Sequence, residues 1–183
     1  MKVLVTAASR YGATAEIATA IVDVLAAHGH EVTALPPDQA ASVDGYDAVV
    51  LGSAVYAGHW LPAARDFAQR SGEALATRPL WLFSSGPVGD PARKLVQKMG
   101  VPPLEVGEIR ERTHALDHRM VAGRLDAANL PVLQRAALAA FSGLQGDFRD
   151  WDAIRAWASG ISDVLESLSM RRAVGEEVPI ALR

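Results

Sequence analysis

The sequence predicts an α/β domain built on a parallel sheet with helices on both faces. Three observations predict it. Short apolar runs such as Val3-Leu4-Val5 and Ala48-Val49-Val50-Leu51 lack the polar alternation of a half-solvated strand, so both of their faces are expected to be buried. Single helical patterns separate these runs, which calls for right-handed crossovers between parallel neighbours. Loops rich in serine and glycine leave the carboxyl ends of the strands, where such sheets bind ligands.

Taken in order, Val3 to Thr6 is the first strand. Ile17, Ile21, Val24 and Leu25 then recur at helical spacing, and Gly29 ends that helix after His28. Glu31 to Leu35 is a second strand, stopped by Pro36-Pro37, and Ala48 to Gly52 is a third. A helix from about Pro62 to Leu75 follows, with proline accommodated in its first turn. Leu80 to Phe83 is the fourth strand, ending at Ser84-Ser85-Gly86-Pro87. The pattern weakens after Val101: the mixed charges of Glu108, Arg110, Glu111 and Arg112 precede a fifth strand expected around Arg119 to Ala122. Leu130 to Phe141 is an almost wholly apolar helix, expected to be buried. Asp152 to Met170 sets Ile154, Trp157, Ile161, Leu165 and Leu168 on one face, with Asp150 or Asp152 as its cap. The expectation is one domain over residues 1–170 and a tail over 171–183, without internal repeats.

Composition narrows the function classes. The 183 residues are 50% hydrophobic and 21% charged, ordinary for a globular domain large enough to close its own core. The net charge of −3 gives no electrostatic footprint for nucleic acid. Cysteine is absent, which excludes disulfides, thiol nucleophiles and cysteine-ligated metal, and suits a reducing cytoplasm. Met1-Lys2 runs straight into the first strand, so no leader is expected. No run of about 18 or more apolar residues suggests a membrane span.

Three loops carry the candidate chemistry. Ser9-Arg10-Tyr11-Gly12-Ala13-Thr14 joins the first strand to the first helix. Gly12 can take a positive φ and bring the backbone close to a ligand, while the hydroxyls of Ser9 and Thr14 can donate to phosphate oxygens in front of a helix N-terminus. The plain alternative is a capped turn without a ligand. It is not a Walker loop, because no Gly-Lys-Ser/Thr follows, and it lacks the three glycines of a dinucleotide fingerprint. The second loop, Ser53-Ala54-Val55-Tyr56-Ala57-Gly58, sets Tyr56 where a flat ring can stack; Trp60 is either a second ring partner or a core residue under the next helix. His59 beside it is the one candidate for proton transfer. The third loop runs from Ser85 through Gly86, Pro87 and Val88 to Gly89. His114 and His118 stand four apart, a metal spacing on a helix, but their segment reads as loop and strand, so no metal is expected.

Together these stretches resemble the flavodoxin-like proteins, in the branch that includes menaquinone-dependent protoporphyrinogen oxidase of heme biosynthesis. The resemblance is carried by Ser9 to Ala18, by Gly52 to Gly58, by Ala122-Gly123-Arg124-Leu125-Asp126, and by Asp150-Trp151-Asp152-Ala153-Ile154. It implies a five-stranded parallel sheet in order 2-1-3-4-5 with FMN as cofactor. It further implies that Ser9, Arg10, Tyr11, Gly12, Ala13 and Thr14 hold the FMN phosphate. Ser53, Ala54, Val55, Tyr56, Ala57 and Gly58 would border the flavin ring, and Ser85, Gly86, Pro87, Val88 and Gly89 would close the third side. Arg10 and Tyr11 depart from the small hydroxyl residues usual in this loop; Arg10 adds positive charge for a phosphate dianion and Tyr11 adds bulk. The implied activity is an FMN-dependent oxidoreductase passing electrons from an organic donor, protoporphyrinogen in that branch, to a quinone such as menaquinone. It would work in the cytoplasm, with the apolar segment Leu130 to Phe141 available for peripheral contact at the inner face of the membrane. A net charge of −3 is weak for an electron shuttle that docks on basic partners. Two other readings stay open: an electron-transfer protein without its own small-molecule substrate, and a flavin-free scaffold.

Overall fold

The computed structural model describes residues 1–86, 101–125 and 146–175. Its elements run β1 (Lys2–Ala8), α1 (Ala13–Ala27), β2 (Glu31–Leu35), β3 (Ala48–Tyr56), β4 (His59–Trp60), α2 (Pro62–Arg70), α3 (Gly72–Leu75), β5 (Leu80–Ser85), α4 (Leu104–Thr113), β6 (Asp117–Val121), β7 (Arg124–Leu125), β8 (Gly146–Asp147) and α5 (Trp151–Ala173). The main sheet has the order β2-β1-β3-β5-β6, every one of those pairings parallel, with the short β4 antiparallel to the end of β3. With β4 set aside as a hairpin arm, this is the expected 2-1-3-4-5 topology.

Alternation along the strands divides the core. Leu4, Leu51 and Leu82 point to one face and pack with Trp60, Phe67, Val106 and Ile109 beneath α2, α3 and α4. Val5, Val50 and Phe83 point to the other, against Ile17 and Ile21 of α1 and Ile154 and Ile161 of α5. Each such side chain removed from water contributes about 1.5–3 kcal/mol, which fixes the strand register, since a one-residue slip would turn it out to solvent. At Gly52 the sheet admits no side chain. A Cβ there would stand 2.1 Å from Phe83 Cζ, so the aromatic ring takes the room that glycine leaves.

Several expected boundaries move. The third strand continues beyond Gly52 to Tyr56 because β4 folds back to pair Val55 with Trp60 and Tyr56 with His59. The fourth strand likewise reaches Ser85, and the first extends to Ala8. The single helix expected from Pro62 to Leu75 breaks at Ser71: Gly72 is a poor helix former, and Arg112 Nη2 lies 3.0 Å from where its Cβ would be. The charge-mixed stretch is a helix, α4, whose Val106, Ile109 and Thr113 are buried. The fifth strand sits at Asp117–Val121, shifted from the expected Arg119–Ala122 by its pairing with β5. Asp150 caps α5, accepting from the Ala153 N–H at 2.9 Å, and the helix passes Met170 to end at Ala173. The helix expected over Leu130–Phe141, with its membrane contact, and most of the 171–183 tail lie outside the described residues. Among the described residues no helix is long and apolar enough to cross a membrane.

Candidate cofactor site

β1, β3 and β5 end side by side, and their carboxyl ends bring the predicted loops together. After β1 the chain turns through Ser9–Gly12 into α1. Gly12 takes φ +85°, with open space where a Cβ would be, and no side chain caps the helix. The first-turn N–H groups of α1 therefore face the loop without a side-chain acceptor. The Ser9 hydroxyl is buried and has no hydrogen-bond partner among the described residues, and Thr14 is buried in the first turn. A buried hydroxyl left in this condition costs about 1–3 kcal/mol. An anion seated before α1 would give Ser9 its missing partner and meet both the N–H groups and the positive end of the helix. The residues present thus fit a phosphate. A cleft of about 530 Å³ opens beside the loop, walled by Ser9, Arg10, Gly12, Pro37, Asp38 and Leu61. Pro37, Asp38 and Leu61 were not expected there: Pro36-Pro37 reads as a strand stop, and only the β1–β2 pairing brings it beside Ser9.

The second predicted loop is mostly strand. Ser53 and Ala54 are buried within β3; the Ser53 hydroxyl donates to the Ala54 carbonyl and accepts from the Leu61 N–H at 2.9 Å, so it fastens the chain after β4. Val55 packs against the α2 face of the core. Ala57 and Gly58, with φ of 51° and 82°, form the tight turn of the β3–β4 hairpin. Tyr56, 39% exposed, is the large ring this hairpin presents. Tyr11 meets it edge-on with centroids 6.5 Å apart, and the Arg10 guanidinium lies 5.4 Å from both rings. Burial and the neighbouring Tyr11 push the Tyr56 phenol above its usual range, so it stays neutral. Trp60, divided between two roles by the sequence, belongs to the core: it is 1% exposed and its indole N–H donates to Ser84 Oγ at 2.8 Å.

His59, the proton-transfer candidate, is exposed on the same hairpin, and its Nδ1 lies 2.7 Å from Glu105 Oε1 at the start of α4. Glu105 also accepts from the Trp60 N–H and from Arg65, each at 3.3 Å. Burial works to raise the Glu105 carboxyl, but its own backbone N–H, His59 and the Trp60 N–H together hold it below the ordinary range. This arrangement orients the imidazole. At the third loop, Ser85 is buried and Gly86 takes φ +143° with its N–H on the Val121 carbonyl at 2.8 Å; Pro87, Val88 and Gly89 lie outside the described residues.

His114 and His118 do not converge. His114 ends α4 with φ 54°, while His118 lies on β6 with Nε2 2.8 Å from Ser84 Oγ. No group of metal-binding side chains forms among the described residues. No local pattern marks the Trp60–Ser84–His118 chain, whose members come from three different strands, or Arg149, which reaches α1 from 136 residues away.

Comparison with known proteins agrees with this fold. No curated protein sequence matches the chain. Among solved structures it is similar to rubredoxin oxygen:oxidoreductase from the anaerobe Desulfovibrio gigas, with 14% identity over 91% of this chain and a TM-score of 0.59. This chain spans only 36% of that protein. It is also similar to a flavodoxin from the domain Archaea, with 13% identity over 91% of this chain and 99% of the other and a TM-score of 0.57. A Streptococcus pneumonia flavodoxin shares 16% identity over 87% of this chain and 96% of its own, with a TM-score of 0.55. Identities this low speak for the fold. The flavodoxin domain model matches residues 4–152, which takes in the Ser9–Thr14 loop, the hairpin and the start of α5. FMN is the cofactor of that family. On this match, on the sheet order and on the uncapped turn before α1, the chain belongs to the flavodoxin domain family.

Proposed function

We propose that this chain is an FMN-dependent oxidoreductase that takes electrons from an organic donor and hands them to a quinone, protoporphyrinogen and menaquinone being the pair its sequence resemblance implies. The observation that carries the flavin part is the buried, unpartnered Ser9 hydroxyl in front of an uncapped helix. In this reading Ser9, Gly12, Ala13 and Thr14 hold the FMN phosphate, and Arg10 supplies a compensating positive charge. Ala54 to Gly58 border the flavin ring, with Tyr56 as its stacking partner, and Ser85 and Gly86 stand on the remaining side. FMN bound here would supply the redox chemistry between donor and quinone, while the protein supplies orientation and electrostatics. His59, oriented by Glu105, is the group in position to take a proton at the rim of the site.

The first test is a visible absorption spectrum of protein purified and then incubated with FMN, which should display bound flavin. The second is menaquinone-coupled oxidation of protoporphyrinogen by that loaded protein. Flavin binding without turnover would move the assignment to an electron carrier between proteins. Protein that stays colourless in excess FMN would leave a scaffold.

A further inference from the structure

Arg149 stands between β8 and α5 with its side chain 2% exposed. Its Nε and Nη2 donate to the two oxygens of Asp147 at 2.8 and 2.6 Å, and the Trp151 ring lies 4.3 Å from its guanidinium carbon. Those hydrogen bonds hold the Asp147 carboxyl below its ordinary range. The remaining nitrogen, Nη1, reaches the other end of the chain. It donates to the Ala13 carbonyl at 3.1 Å and to Glu16 Oε2 at 2.9 Å. Arg124 on β7 holds Glu16 as well, at 2.9 Å.

Ala13 and Glu16 belong to the first turn of α1, the turn whose free N–H groups face Ser9 and Gly12. No side chain caps that turn, so its orientation depends on what grips it from behind. Two arginines there meet two carboxylates, Glu16 and Asp147, and the quartet is neutral. Without Arg149 the same quartet would carry a net negative charge at the base of a cradle meant for a dianion, where the field of the helix end would be offset.

We propose that Arg149 is a positioning residue for the flavin phosphate: by fixing the Ala13 carbonyl and neutralising Glu16, it gives this site its preference for phosphorylated over unphosphorylated flavin. The inference rests on the FMN reading above. It assigns the β7–β8 strand pair a part in cofactor selection, although that pair lies far from Ser9 in sequence. A planar fork is required, because one side chain must serve Asp147, Glu16 and a backbone carbonyl together.

The test is titration of wild type, Arg149→Met and Arg149→Lys with FMN and with riboflavin, followed by flavin fluorescence. Arg149→Met should weaken FMN binding about tenfold or more, the scale of one lost hydrogen bond to a charged group, with riboflavin affinity unchanged within about twofold. If far-UV circular dichroism finds Arg149→Met unfolded, Arg149→Lys decides: it keeps the charge beside Glu16 and loses the fork that holds the Ala13 carbonyl, so FMN binding should still weaken relative to riboflavin, though by less than about tenfold. FMN affinity equal to wild type, or an equal loss for both flavins, overturns the proposal, because a merely structural clamp has no reason to distinguish them. Wild type that binds neither flavin overturns the FMN reading itself, and this inference with it.

Discussion

The Ser84 hydroxyl is fully buried between two partners, the indole N–H of Trp60 and Nε2 of His118, each 2.8 Å away. With the indole donating to it, the hydroxyl can give its own proton to a neutral Nε2, the form of His118 that its buried position favours. Burial, assisted by Arg110 and opposed by Asp117, holds His118 below its ordinary value of 6.5. The sign follows from linkage: the unfolded chain takes up this proton near pH 6.5 and the folded chain resists it, so the stabilisation is complete above that pH and is lost as the pH falls below it. His30, lowered by its own burial and 2.8 Å from Ser162 Oγ, adds to the slope in the same direction. Urea unfolding between about pH 8 and 5 should therefore show stability declining on the acid side, and His118→Gln should decline less steeply. Equal slopes for the two proteins would place the proton uptake elsewhere. Ser9 and Thr14 were legible as candidates because their neighbours in sequence are their neighbours in space. Ser84 and His118, 34 residues apart, were not.

The hairpin β3–β4 presents Tyr56, the ring that the proposed site sets against the flavin. Its turn places Ala57 and Gly58 both at positive φ, the geometry of a type I′ turn, which Asn-Gly satisfies best. A left-handed alanine costs about 1–2 kcal/mol. Ala57→Asn should accordingly stabilise the protein by about 0.5–1 kcal/mol, read as a rise in denaturant midpoint with an unchanged slope. No rise would mean that the turn relaxes away from this geometry in solution. The sequence marked this stretch correctly as a place of glycine and aromatic residues, yet predicted a loop after Gly52. Strand continuation depended on β4 being available as an antiparallel partner, and a two-residue strand leaves no periodicity to read. For the same reason α4 was hidden: its buried Val106 and Ile109 are too few among charged residues to declare a face.

At the scale of the whole molecule, the proposed site draws on both ends of the chain. β1 and α1 supply the cradle, β3–β4 the platform, and Arg149 with Arg124 braces the first turn of α1. A cofactor bound across these parts stabilises only the folded state. FMN at about 100 times its dissociation constant should add about 2.7 kcal/mol, which for a chain of this size moves the thermal midpoint by roughly 5–10 °C. Scanning calorimetry with and without FMN checks this, and a midpoint indifferent to FMN would contradict a site built into the native fold.

The sequence by itself determined the parallel sheet, its strand order through the family resemblance, and the strand-to-helix turn at Ser9–Thr14 with its glycine at positive φ. Those are properties of short stretches: apolar runs without alternation, a glycine where φ must be positive, hydroxyls ahead of a helix. The tertiary structure alone decided that Ser53 fastens Leu61, that Trp60 is core, and that Arg149 closes on Ala13 from 136 residues away. Hydrogen bonds of that kind depend on distance in space, and only the packing of both faces of the sheet fixes that distance.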